Sequence, residues 1–204
     1  MCCESNKLMT GRILLLFLIF FSFGFVQAQN FSPIIQKDKI TVDSKVRTGV
    51  STSFDAPAKD VERGWWKYSR QFGRPLNMRG YYKVTIPATL NEGTVDLELL
   101  SKTLKNKTGS RFYLSLNTTN IPAEKVSNYT AEVKKILQNF KRSYYIDWIE
   151  ENLENQAKKA IRAGKKASKG KGNSREKALE ELAALDVSTA ELKAKLLEVY
   201  QAFQ

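Results

Sequence analysis

The chain has 204 residues, with 33 Lys and Arg against 21 Asp and Glu, two cysteines, no histidine and a net charge of +12 at pH 7. Without histidine the usual zinc sites, Ser/His and Cys/His nucleophile systems and an imidazole pH switch are all excluded. Carboxylate, lysine, serine or tyrosine chemistry stays open, and the length suits one domain with an appendage.

Lys7 and Arg12 precede an apolar run from Ile13 to Val26, and Val26 and Ala28 occupy the positions that a signal peptidase reads. Residues 1–28 are therefore expected to be a secretory signal peptide, cleaved after Ala28, and the mature chain to be periplasmic or extracellular. The run is shorter than the roughly 18 residues of a spanning helix, so no transmembrane span is expected after cleavage. Cys2 and Cys3 both precede the run. Cleavage removes them, and the mature chain must hold together by its core alone.

Residues 29–155 read as an α+β globular domain. From Lys39 to Phe54 the apolar residues Ile40, Val42, Val46, Val50 and Phe54 fall at even positions, the pattern of a strand with one buried face. Asp55 is placed as a helix N-cap with Pro57 in the first turn, and Val61, Trp65, Tyr68 and Phe72 form an apolar helical stripe ending at Gly73. Three strands follow, with Tyr82, Val84 and Ile86, then Val95, Leu97 and Leu99, then Phe112, Leu114 and Leu116 each sharing a face. Pro122 opens a long helix whose stripe runs through Val133, Phe140, Tyr144 and Trp148. The expected fold is thus a four-stranded antiparallel sheet in β-α-β-β-β order, packed by a long helix, with a C-terminal helical hairpin or coiled-coil arm.

The opening strand followed by Ala56, Pro57 and Val61 at a helix start, an antiparallel meander and a long helix resembles START-like helix-grip domains. The resemblance implies a carrier of a small apolar ligand, with Trp65, Tyr82, Tyr144 and Trp148 as candidate lining of a cleft between sheet and helix. The whole layout is similar to that of exported bacterial proteins of unknown activity, a likeness that brings no chemistry with it.

Residues 156–176 read as a basic bend. From Ala157 to Lys177 there are nine Lys or Arg and one acid, Glu176. Residues 1–28 contribute Lys7, Arg12 and Glu4, so the remaining chain carries +11, of which this stretch supplies +8. Lys158, Lys159, Arg162, Lys165, Lys166, Lys169, Lys171 and Arg175 are the candidate contacts to an anionic partner. No aromatic residue is interleaved to stack bases, and export leads away from the genome, so nucleic acid is disfavoured against an anionic envelope component. A solvated charged face is the plainer account.

In residues 177–204, Leu182, Leu185, Leu192, Leu196, Val199 and Phe203 fall on heptad positions and are the candidate helix–helix interface, with either the preceding helix or a second chain in a homo-oligomer as partner. Asp147, Glu150, Glu151 and Glu154 crowd adjacent turns of one helix and read as an ion-pair surface, not as carboxylates facing each other across a substrate. No catalytic, metal or cofactor site is assigned. The expectation is an exported, non-enzymatic binding or assembly protein of the periplasm or cell envelope, with the apolar-ligand carrier and a carboxylate-based hydrolase as alternatives.

Overall fold

In the computed structural model, which describes residues 31–90 and 95–204, the alternating stretch from Lys39 to Phe54 is a hairpin, not one strand. Strands β1 (Gln36–Val42) and β2 (Lys45–Phe54) join through Asp43 and Ser44, whose φ angles of 53° and 58° are both left-handed. Two left-handed residues make the tight turn whose twist matches paired strands. The turn also resets the alternation: Val42 lies opposite Lys45, so Val42 is buried while Val46 faces solvent.

The sheet has six strands where four were expected, in the order β1-β2-β6-β5-β4-β3, every neighbour antiparallel. Besides the extra hairpin strand there is β3 (Arg74–Asn77), which pairs with β4 (Tyr82–Ile86). β3 is four residues long and contains Pro75, which lacks an N–H for the ladder and is tolerated because β3 is an edge. Strands β5 (Leu97–Lys105) and β6 (Ser110–Leu116) complete the meander, and β6 returns to pair with β2. Gly49 makes that return fit, since a Cβ there would stand 2.4 Å from the Leu114 carbonyl oxygen.

Helix α1 (Ala58–Ser69) follows β2. Its N-cap is Pro57, whose carbonyl accepts the Asp60 and Val61 N–H groups at 3.0 and 3.2 Å; Asp55 lies earlier and donates its own N–H to the Tyr145 hydroxyl at 3.4 Å. Val61 and Trp65 are buried beneath it. Helix α2 (Ala123–Lys169) lays Val133, Leu137, Phe140, Tyr145 and Ile149 on the same face of the sheet. Phe140 is the junction, with ring centroids 5.1 Å from Phe112, 5.2 Å from Trp65 and 5.5 Å from Phe54. Each such ring contributes roughly 1.5 to 3 kcal/mol by burial, and edge or tilted pairing adds about 0.5 to 1.5 kcal/mol per pair.

Helix α3 (Asn173–Ala202) folds back along α2 of its own chain. Thr189 Oγ1 donates to Gln156 Oε1 at 2.7 Å, and the Arg142 guanidinium lies 5.7 Å from the centre of the Tyr200 ring. Leu192, Val199 and Phe203 thereby enter the core. Gly164 does not interrupt α2, which is continuous to Lys169. The reversal is made by residues 170–172, with Gly172 at φ 55°. Asn173 begins α3, with Gly172 at the N-cap and no side-chain cap hydrogen bond. The expected signal peptide, residues 1–28, lies outside the described residues.

Candidate functional site: the basic tip of the helical hairpin

α2 needs only its first half to cover the sheet. Its buried residues up to Ile149 contact the core, whereas Ala163 and Ala167 are buried further along, near the turn, as is Ala178 of α3. Small residues there let the two helices approach closely without a thick apolar layer. From Leu153 to Lys169 the arm extends roughly 24 Å at the ordinary helical rise.

The eight candidate cations cluster at and below this tip, all on exposed positions. Lys158 is paired with Glu154 at 2.7 Å, one turn back on α2. Lys159, Arg162, Lys165, Lys166, Lys169, Lys171 and Arg175 form no ion pair among the described residues. Lys165, Lys166 and Lys169 end α2, where positive charge also offsets the partial negative charge of the helix terminus. Beside the turn an open depression of about 470 Å³ is lined by Lys166, Asn173, Ser174, Lys177, Ala178 and Glu181. It is open, with Lys166 from α2 and Lys177 from α3 in its lining and Glu181 as its one acid.

The candidate interface residues of α3 turn inward: Leu192, Val199 and Phe203 are buried, and Leu182, Leu185 and Leu196 are half-buried. The four candidate cleft residues do not line one space. Trp65 is fully buried among Tyr68, Phe72, Phe112 and Phe140. Tyr82 meets Trp66 edge-on at 5.7 Å. Tyr144 closes over Gly64, where a Cβ would come within 2.6 Å of its ring, and Trp148 is half-buried at the margin of the core.

Of the four carboxylates Asp147, Glu150, Glu151 and Glu154, Asp147 and Glu154 are ion-paired. Asp147 accepts the Lys67 ammonium at 2.8 Å, a contact that raises the Lys67 pKa. Among the described residues no group of three or more His, Cys, Asp or Glu comes together as a metal site, and no helix is long and apolar enough to cross a membrane.

Sequence reasoning missed a polar network on the sheet face away from the helices. Arg111 Nη2 lies 2.7 Å from Asp38 Oδ2, which also accepts the Ser51 hydroxyl at 2.8 Å. Burial tends to raise the Asp38 pKa, but the bonds from Ser51 and the Lys39 N–H, with the Arg111 charge, hold it below the usual carboxylate value. Further along, Glu98 accepts Asn117 Nδ2 at 2.9 Å and Lys83 Nζ at 3.0 Å, and these two bonds depress its pKa. Asn117 in turn accepts Arg47 Nη1 at 3.1 Å. The side-chain partners are 13 to 73 residues apart, so only the strand register brings them together. Both of its acids are ion-paired within it, Asp38 with Arg111 and Glu98 with Lys83, whereas the seven tip cations have no ion pair among the described residues.

The fold and the site define an α+β protein whose antiparallel sheet carries a long, cationic helical hairpin. No family model, no curated protein and no solved structure matches the chain.

Proposed function

We propose that the chain is an exported, non-enzymatic binding or assembly protein of the periplasm or cell envelope, and that it engages an anionic envelope component through the tip of its helical hairpin. The observation that carries this reading is the concentration of seven exposed cations on α2, the turn and α3 at one end of the arm, none of them ion-paired among the described residues. Unpaired, exposed ammonium and guanidinium groups on a rigid arm bind polyanions with little desolvation cost, and the interaction weakens as salt screens it. The chemistry favoured is a dense array of phosphates or carboxylates. The absence of any aromatic residue between Ala157 and Lys177 speaks against stacked bases. No observation favours the apolar-ligand carrier, which would require the rings of Trp65, Phe112 and Phe140 to part, or a hydrolase.

The test is cosedimentation of the purified chain with phosphatidylglycerol vesicles and, in a second arm, binding to a soluble polyphosphate. Binding to either is expected to fall steeply between about 50 and 200 mM salt. Replacing Lys165, Lys166, Lys169 and Lys171 by Gln should weaken it by at least about a hundredfold, at roughly 1 kcal/mol per cation. Unchanged binding by that variant, or no binding to either polyanion at low salt, overturns the proposal.

A further inference from the structure

α3 carries two apolar stripes, and α2 covers only one of them. The second consists of Leu179, Ala183, Val187, Ala190, Ala194 and Leu197, spaced by four, four, three, four and three. At 100° per residue these six fall within an arc of about 80°, well round the helix from the inner stripe. Leu179, Val187 and Leu197 are 49%, 62% and 57% exposed, and the three alanines are exposed as well. More than a fifth of a turn of apolar surface sustained along most of a helix needs a cover.

We propose that the cover is a second copy of this chain, its α3 lying antiparallel to the first about a two-fold axis between Ser188 and Thr189. Such an interface is self-complementary, so each residue must suit the residue opposite in the second copy. Placing Val187 opposite Ala190 of the second copy also places Ala183 opposite Ala194, and the alanines allow the helices to approach closely. On the flanks, Lys177 then meets Glu198, Asp186 meets Lys193 and Leu179 meets Tyr200. Every charged flanking pair is of opposite sign. All four of these charged residues are exposed, and none is ion-paired within its own chain among the described residues.

Each alternative brings like charges together and keeps fewer favourable pairs. Shifting the register by one heptad in one direction sets Asp186 opposite Asp186; in the other it sets Glu191 opposite Glu191 and Lys193 opposite Lys193. A parallel pair sets Asp186 opposite Glu191. Charges flanking an apolar seam choose orientation and register in this way. The inner stripe with Leu192 and Val199 plays no part, because it is already used within the chain. The proposal does not rest on the tip cations, since Lys177 is the only residue of the basic stretch among its charged pairs and is not one of the seven.

Sedimentation equilibrium of the purified chain decides it. A reversible dimer is expected, and Ala190→Glu should make it a monomer with an unchanged circular dichroism spectrum, because position 190 is exposed in the single chain. Asp186→Lys should raise the dissociation constant at least about tenfold, equivalent to about 1.4 kcal/mol. The charge exchange Asp186→Lys with Lys193→Asp should bring it back. A wild-type chain that stays monomeric, a dimer indifferent to Ala190→Glu, or a charge exchange that fails to restore association overturns the proposal.

Discussion

Lys141 lies on the face of α2 that packs against the sheet and is only 3% exposed. Its ammonium donates to the Ser32 carbonyl at 2.6 Å and the Thr52 hydroxyl at 3.1 Å, and stands 5.7 Å from the centre of the Phe54 ring. It ties the segment before β1 across the core, where Phe31 meets Tyr145 edge-on at 4.9 Å. Burial lowers its pKa to about 8, against a smaller opposing pull from Asp55. Between that value and the 10.5 of an unperturbed lysine, the unfolded chain holds more protons than the folded one, so stability rises with pH across this window. The shift is worth about 3 kcal/mol. Burial acts oppositely on Tyr144, raised to about 12, and on Tyr145, raised further. They keep their protons folded where an unfolded tyrosine loses its own, so stability falls once pH exceeds about 10. Urea midpoints should therefore climb from pH 8, peak near pH 10 and then decline. Lys141→Met should remove the climb and leave the decline; a climb that survives the substitution would have another source.

At the scale of elements, what was legible in the sequence was what kept a regular period. β4, β5, β6 and the first part of the α1 and α2 stripes lie where the alternation or the three-four spacing placed them, but Phe72 falls beyond α1, and past Phe140 the buried positions shift from Tyr144 and Trp148 to Tyr145 and Ile149. The hairpin was hidden because its turn is Asp43–Ser44, without the glycine that advertises two left-handed residues, and because valines flank it on both sides. β3 was hidden by its length and its proline. Nothing in the sequence marks Lys141 as buried, because a charge beside an apolar stripe is ordinarily solvated. The tip cations were legible individually, since charge is written in the composition; their convergence from two helices required the reversal at Gly172. The seam of α3 was legible but its partner was not, and the structure supplies α2. Leu192→Asp should therefore act on the fold of each chain: it places a charge against the core and should cost about 3 to 5 kcal/mol. Hydrogen exchange should show α3 losing protection while the sheet keeps its own. Equal loss throughout the chain would mean that α3 and the sheet unfold as one unit.

For the whole molecule, the question is whether the arm and the body are separable. The body's core draws on β2, α1, β4, β5, β6, the first half of α2 and the last turns of α3, and every large fully buried side chain comes from those parts. The outer arm contributes Ala163, Ala167 and Ala178, which pack the two helices on each other. Gln156 and Thr189 mark a crossing where the helices are already held together by a 2.7 Å hydrogen bond. Packed helix axes lie about 8 to 10 Å apart, a gap that a loop of about four residues spans. Replacing residues 157–188 by such a Gly/Ser loop removes the tip cations and half of the outer α3 stripe, yet leaves the body's aromatic core intact. The shorter closure also costs the chain less entropy than the arm it replaces. The excised chain should melt cooperatively within about 5 °C of the full chain, as expected for a change of about 1 kcal/mol, while vesicle binding and self-association disappear together. A body that no longer unfolds cooperatively would show that the arm is a structural strut, and the unpaired cations would then be its solvated surface.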